Sequence, residues 1–208
     1  MLRTMQETNY PRAATNLFTT DQMVLKRQIM KLAGGAYKIF DSAGNQLVQA
    51  NQKGFKLKED IRLLTGPSLD QETVGIFARK VMDFASAYDV VDLTTNTKVG
   101  ALRRRGFKSM LRDEWIVMDA NDHEIGKLIE DSMAMAVLRR LLAEVIGNWI
   151  PQNYDLLIGD RRVVDLKQNF NPFNYQLRIS FEVPHETFDR RIGLAAAVLL
   201  AAIEGKQG

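Results

Sequence analysis

The feature that most constrains this chain is an uncharged apolar run near its end. Residues 192–203 contain no charged or polar side chain, so a helix there is apolar on every side and must be buried all round. The run is about a dozen residues, roughly 18 Å at the helical rise, whereas a membrane span needs about 20 residues. Asp189 is placed to cap the first turn, and Gly205 follows the last apolar residues. We therefore predict an alanine-rich core helix over residues 189–204, rather than a membrane span.

From residue 23 onwards, short apolar runs separated by turn residues precede this helix. An aromatic residue stands four positions before an Asp three times, at Tyr37, Tyr88 and Trp115, and a polar turn follows each Asp. Residues 41–45 contain the Asp and Gly that hairpin turns use. Strand alternation places the three aromatic side chains on the core side. The pattern predicts a series of antiparallel hairpins, typical of a barrel or a sandwich and not of βαβ units.

Two segments depart from the hairpin pattern. Residues 1–20 are polar and irregular, and we predict a flexible, loosely held N-terminal arm there. Residues 130–145 have apolar side chains at helical spacing and an acidic start, which predicts one amphipathic helix. No linker rich in Pro, Gly or Ser divides the remainder, and 208 residues suit one domain. We therefore predict a single, mainly β domain over residues 21–208, with a closed antiparallel sheet wrapped around the C-terminal helix.

Several dispersed motifs have a familiar order. They are MVLKRQI at 23–29, GAYKIFDSAG at 35–44, KGFKL at 53–57, YDVVD at 88–92, GALRRR at 100–105, LRDEWIVMD at 111–119 and EIGK at 124–127. Together they resemble the LURP-one-related and phospholipid-scramblase-like proteins of the tubby C-terminal-like superfamily. The resemblance covers about residues 23–204 and implies a twelve-stranded antiparallel barrel closed around a hydrophobic C-terminal helix.

The resemblance also carries expectations about activity. Tubby domains bind phosphoinositides through basic surface residues, scramblases move lipids in a calcium-dependent way, and the superfamily is not known for metabolic enzymes. Scramblases carry an acidic calcium segment shortly before the final helix, whereas residues 169–175 contain no carboxylate here. The resemblance therefore implies headgroup binding in preference to calcium-driven lipid movement.

The densest positive cluster lies at residues 103–105. In a strand, Arg103 and Arg105 point to one side and Arg104 to the other. Near an anionic leaflet each cation contributes about 1 kcal/mol, and the effect is weakened by salt. The alternative is a solvent-facing strand whose cations only keep it soluble. The predicted anionic-headgroup site comprises Arg103, Arg104, Arg105, Lys108, Arg112, Lys53 and Lys56.

Other functional classes find little support in the sequence. The chain has no cysteine, which excludes disulfides and thiolate chemistry. Residues 119–124 resemble a calcium loop in spacing, but Glu124 replaces the required Gly, so we predict a hairpin turn and no metal site. Neither His123 nor His185 lies in the setting of a catalytic base, and no nucleotide-binding motif occurs. We expect no enzyme activity and no cofactor. The arginines are not interleaved with stacking aromatics, so we expect no nucleic-acid partner.

These patterns predict a non-enzymatic binding module. Its expected partners are anionic phospholipid or phosphoinositide headgroups, or a protein, bound through the basic surface. The first residues lack the apolar core of a signal peptide, so we expect a cytoplasmic protein with peripheral membrane contact. One alternative is a scramblase-like protein whose final helix inserts into the membrane. Another is an enzyme whose catalytic residues are dispersed in the sequence.

Overall fold

The computed structural model describes residues 15–30, 34–52, 60–79, 87–105, 114–130, 152–169 and 175–203. In these ranges, twelve antiparallel strands form a closed barrel. Each strand pairs with its neighbours in sequence, and the first pairs with the last. The elements are α1 (Thr15–Thr19), β1 (Gln22–Met30), β2 (Gly34–Asp41), β3 (Gln46–Gln52), β4 (Asp60–Thr65), β5 (Gln71–Ala78), β6 (Ala87–Asp92), β7 (Thr97–Arg104), β8 (Glu114–Met118), β9 (Glu124–Glu130), β10 (Asn153–Ile158), β11 (Arg161–Gln168), β12 (Gln176–Phe181) and α2 (Arg190–Ile203). The predicted closed barrel is confirmed.

Helix α2 is the apolar helix predicted at the C-terminus. It is buried at every residue from Arg190 to Ala202, and the inward-facing strand side chains around it are buried as well. Asp189 accepts a hydrogen bond from the backbone N–H of Arg191 at 3.0 Å, as a helix cap does. Near the other end, the Tyr37 hydroxyl donates to the carbonyl of Ala201 at 3.4 Å. No helix among the described residues is both long enough and apolar enough to cross a membrane.

Glycine allows close approach between α2 and the barrel wall at two positions. A Cβ atom on Gly193 would lie 2.5 Å from a ring carbon of Phe181. A Cβ atom on Gly100 in β7 would lie 2.7 Å from the side chain of Ile192 and 2.8 Å from the carbonyl oxygen of Met118. Since the interior is close-packed, neither methyl group fits without movement of buried neighbours. Small residues at the contacts between α2 and the wall therefore allow the barrel to close around the helix.

Because of this contact, we expect Gly193→Ala to lower the free energy of unfolding, although helix propensity alone favours Ala. In an exposed helix, Ala is about 1 kcal/mol more favourable than Gly. Here we expect a loss of about 1–3 kcal/mol, because the added methyl group overpacks against the buried Phe181 ring. Thermal unfolding measures the change, and the same substitution in a Phe181→Leu background should cost less. A raised melting temperature for Gly193→Ala would contradict the close contact.

Two ion pairs hold the first turn of α2, one fully buried and one with an exposed carboxylate. Arg191 pairs with Asp92 of β6 at 2.6 Å, and their side chains are only 6% and 3% exposed. Arg190 pairs with Asp21 at 2.6 Å, donates to the carbonyl of Val183 at 2.8 Å and stacks over the Phe181 ring. These contacts tie the start of the helix to opposite walls of the barrel.

Five tight hairpins close the end of the barrel at which α2 begins. They join β2 to β3, β4 to β5, β6 to β7, β8 to β9 and β10 to β11. In every one, the return strand has an extra residue next to the turn, at Leu47, Thr73, Val99, Ile125 and Val163. Such bulges bend a strand and increase its twist, which helps a sheet to close. The turn predicted at residues 41–45 is confirmed, with Asp41 accepting from the Asn45 N–H at 2.8 Å and Gly44 at a φ of 88°.

The three predicted core aromatics are confirmed. Tyr37, Tyr88 and Trp115 are between 1% and 2% exposed. The rings of Tyr88 and Trp115 lie 6.0 Å apart in a tilted arrangement. Strand alternation was thus sufficient to assign their side of the sheet.

The segments outside the hairpin pattern differ from expectation where they are described. Leu17 and Phe18 of α1 are buried in the core, so a loosely held arm cannot extend through residue 18. The rest of the predicted arm, residues 1–14, lies outside the described residues. Glu130 was expected at the start of an amphipathic helix, but it ends β9 and is buried. The remainder of that predicted helix lies outside the described residues.

Candidate functional site

The three consecutive arginines do not form one patch. Arg103 is exposed and lies opposite Ile116 on the outer side of the barrel. Arg104 lies directly across from Trp115, whose side chain is in the core. Arg104 is therefore on the inner side of the barrel, where it is half-buried. Arg105 follows the strand and forms an ion pair with Glu114 at 2.7 Å. The alternation predicted for Arg103 and Arg104 is confirmed, and it divides the cluster between two sides of the wall.

The other predicted headgroup residues, Lys53, Lys56, Lys108 and Arg112, lie outside the described residues. Asp60, which begins β4, is three strands from β7 around the barrel, about 14 Å at the usual strand spacing. Whether the seven cations converge on one ligand stays a prediction.

A different wall of the barrel concentrates positive charge. The outer sides of β2, β1, β12 and β11 carry four cations. Asp165 is the carboxylate that pairs with one of them, Lys167, at 2.7 Å. We call this surface the basic face, and it consists of Lys26, Lys38, Lys167 and Arg178.

The pairing of strands in the basic face places like charges opposite each other. Lys26 lies directly across from Lys38, and Lys167 lies directly across from Arg178. Like charges at opposed positions of a sheet are destabilising. The Lys26 ammonium stacks over the Phe40 ring at 4.7 Å, which offsets part of its cost. Lys167 is compensated by Asp165, so among the described residues the uncompensated repulsion in the basic face lies between Lys26 and Lys38 and at Arg178.

A groove of about 380 Å³ lies at the edge of the basic face. Asn153, Lys167, Arg178 and Val24 form one continuous row across β10, β11, β12 and β1. Three further carboxamide side chains complete the lining, those of Gln168, Asn169 and Gln176. Six of the seven lining residues are therefore polar or charged, although Val24 and the aliphatic parts of the other side chains make most of the groove's surface apolar.

The basic face was not predicted from the sequence. Lys26 and Lys38 belong to the first two strands, whereas Lys167 and Arg178 belong to the last two. Only the pairing of β1 with β12 makes them neighbours. The available signal was weak, namely a cation at an outward position in four strands. The predicted closed barrel implied that the first and last strands pair, but not their register.

A balanced charge cluster occupies another part of the outer wall. Arg79 and Lys98 each contact both Asp89 and Asp122, which ties the β8–β9 turn to β5, β6 and β7. Hydrogen bonds from Arg79 and Lys98 lower the pKa of Asp122 to about 2. Because its two cations are matched by two carboxylates, this cluster serves to fix a turn and offers no excess charge to a ligand.

The segment with calcium-loop spacing is a hairpin turn, as predicted. One carboxylate oxygen of Asp119 accepts hydrogen bonds from the backbone N–H groups of Asn121 and His123, at 2.8 and 2.9 Å. Partial burial acts to raise the pKa of Asp119, but these bonds outweigh it and lower the pKa. Among the described residues, no group of three or more His, Asp or Glu side chains is placed to hold a metal ion.

Comparisons with known proteins leave the family open. No protein-family model matches the chain, and no curated protein matches it. Among solved structures, the chain is similar to the X-ray structure of a protein from Arabidopsis thaliana, with a TM-score of 0.48 and 10% sequence identity. The similarity covers 90% of this chain and 98% of the plant protein. At this identity and TM-score, it assigns neither a family nor a function.

Proposed function

We propose that this protein is a non-enzymatic module that binds anionic lipid headgroups at a membrane surface through its basic face. The observation that carries the proposal is the pair of opposed like charges, Lys26 with Lys38 and Lys167 with Arg178. An anionic surface placed against them removes the repulsion, so the cost in the free protein becomes a gain in the complex. The proposal includes a cytoplasmic location with peripheral membrane contact.

The dispersed motifs that resemble the tubby C-terminal-like superfamily support the same ligand class, since tubby domains bind phosphoinositides. The resemblance does not specify this wall of the barrel. The predicted site at Arg103, Arg104, Arg105, Lys53, Lys56, Lys108 and Arg112 remains a second candidate surface. Of its described members, Arg105 already has a carboxylate partner and Arg104 lies on the inner side, so the basic face is the stronger candidate.

Removal of two cations from the basic face should weaken vesicle binding. At about 1 kcal/mol for each cation, Lys26→Gln with Arg178→Gln should lower affinity about thirtyfold. Co-sedimentation compares vesicles of neutral phosphatidylcholine with vesicles that contain phosphatidylserine or a phosphoinositide, at low and high salt. We expect wild-type binding to require the anionic lipid and to weaken with salt.

The matched control removes the same net charge elsewhere. Lys127 and Arg161 are exposed, and neither pairs with a carboxylate among the described residues. Lys127→Gln with Arg161→Gln should therefore retain most of the affinity. Equal losses of vesicle affinity in the two double variants would show that net charge alone drives binding. Wild-type protein that does not bind anionic vesicles would refute the proposal.

The scramblase-like alternative requires α2 to leave the barrel. That step would break the pairs of Arg190 with Asp21 and of Arg191 with Asp92, and it would carry both buried arginines towards the lipid. Charged side chains in hydrocarbon are costly. A surface-bound module avoids this cost, and a protected α2 during vesicle binding is what the proposal requires.

A further inference from the structure

We propose that the groove beside the basic face binds a small sugar anion, a hydroxylated ring that carries a phosphate or a carboxylate. This inference goes beyond the proposed function, which needs only the charge of the basic face. The groove is defined by Asn153, Lys167, Gln168, Asn169, Gln176, Arg178 and Val24.

Three of the polar side chains in the groove lack a partner in the part of the chain that the structure describes. They are the carboxamides of Asn153 and Gln176 and the guanidinium of Arg178. Asn153 and Gln176 are half-buried. None of the three is among the buried side chains left without a partner, so their polar groups are open to the groove. A ligand that supplied oxygen atoms could therefore accept hydrogen bonds from all three.

Two other carboxamides are held in place by the backbone. The side-chain oxygen of Gln168 accepts from the backbone N–H of Gln152 at 3.0 Å. The side-chain oxygen of Asn169 accepts from the backbone N–H of Gln176 at 2.9 Å. With its oxygen engaged, the Gln168 carboxamide has an NH₂ group as its remaining polar end. Both side chains are thus fixed in orientation at the rim of the groove.

The charge of the groove selects an anion. Lys167 and Arg178 lie side by side on β11 and β12, and Asp165 compensates one of the two charges through Lys167. Arg178 has a planar, forked guanidinium suited to a phosphate or a carboxylate. These two cations belong to the row that runs from Asn153 to Val24 across four strands, a distance of about 14 Å at the usual strand spacing.

The size and lining of the groove restrict the ligand further. A volume of about 380 Å³ lies within the range of small-molecule sites. Carboxamides that bind several hydroxyl or ring oxygens, next to one cation for a charged group, match a sugar phosphate or a sugar acid. No aromatic side chain lines the groove among the described residues, so a stacked nucleobase has no support.

Calorimetric titration with four probes tests the ligand class. We expect glucose 6-phosphate and glucuronate to bind, and glucose and inorganic phosphate each to bind at least about tenfold more weakly, because each lacks half of the matching groups. Arg178→Gln should abolish measurable binding of the sugar anions. Equal affinities for inorganic phosphate and glucose 6-phosphate would overturn the inference, as would tighter binding of a glutamate-rich peptide.

Variants that keep the charge of the groove distinguish sugar-anion binding in the groove from vesicle binding by the basic face. Asn153→Leu and Gln176→Leu should each weaken sugar-anion binding about three- to tenfold, with binding to phosphatidylserine vesicles unchanged. If either variant is unstable, Asn153→Ala and Gln176→Ala replace it, because these also remove the carboxamide without a change of charge. Wild-type affinity in folded variants would overturn the inference. If wild-type protein binds glucose 6-phosphate but does not bind anionic vesicles, only the proposed function is refuted.

The same chemistry can come from a free metabolite or from a lipid. Vesicles with phosphatidylinositol and vesicles with phosphatidylserine carry equal charge, but only the first displays a hydroxylated ring. Preference for phosphatidylinositol, lost in Asn153→Leu, would place the ligand in a lipid headgroup. Equal binding of the two vesicles, together with tight binding of glucose 6-phosphate, would assign the groove to a soluble sugar anion.

Discussion

Leu199→Asp is expected to abolish cooperative folding. Leu199 is 2% exposed in the middle of α2, where every neighbour is apolar. A carboxylate there has no counter-ion, and its burial costs several kcal/mol. That cost is comparable with the whole stability of a domain, about 5–15 kcal/mol. Circular dichroism during heating should show no unfolding transition, or one at a greatly reduced temperature.

The control for Leu199→Asp introduces the same charge at the surface. Ser68 is exposed in the turn between β4 and β5, so Ser68→Asp should change stability by less than about 0.5 kcal/mol. Leu199→Ala provides an intermediate case, with a loss of about 2–5 kcal/mol from the cavity alone. An unchanged melting temperature for Leu199→Asp would contradict a buried helix.

Asp92→Ala is expected to destabilise the protein by about 3–5 kcal/mol. The substitution leaves the buried Arg191 guanidinium without its partner from β6, and an uncompensated buried charge is costly. At about 2–4 °C for each kcal/mol in a protein of this size, the melting temperature should fall by about 6–20 °C. Asp189 still pairs with Arg191 at 2.6 Å, which moderates the loss.

A double-mutant cycle separates the ion pair from the packing. Arg191→Met in the Asp92→Ala background should recover part of the stability, because the unpaired guanidinium is removed, and Asp189 still accepts a hydrogen bond from the backbone N–H of residue 191. Glu72→Gln is the matched control, since its pair with Arg62 is partly exposed and should contribute no more than about 1 kcal/mol. A loss for Asp92→Ala no larger than that for Glu72→Gln would contradict the anchoring role.

The central helix and several hairpins could be predicted from the sequence because their signals are local. Residues 192–203 are apolar in composition, whatever the surrounding structure. The aromatic and Asp positions recur within single strands, at Tyr37, Tyr88 and Trp115. The β4–β5 hairpin lacks this signature, and four consecutive residues of β5 are buried without alternation. Its strands could not be identified from periodicity for that reason.

The binding surfaces depend on contacts that the sequence does not encode locally. Arg191 and Asp92 are 99 positions apart. The basic face requires barrel closure, which brings Lys26 and Lys38 beside Arg178 and Lys167. A run such as residues 103–105 is conspicuous in sequence, yet alternation divides its side chains between two sides of the wall. Charge density along a strand is therefore a poor guide to charge density on a barrel.

The most direct test of the proposed binding surface compares two losses of charge on the same barrel. Affinity for phosphatidylserine vesicles is measured for Lys26→Gln with Arg178→Gln, and for Arg103→Gln with Arg105→Gln. Each double variant removes two cations, so their net charges are equal. We predict about a thirtyfold loss for the first and less than about a threefold loss for the second. An equal or larger loss in the second variant would contradict the assignment of binding to the basic face.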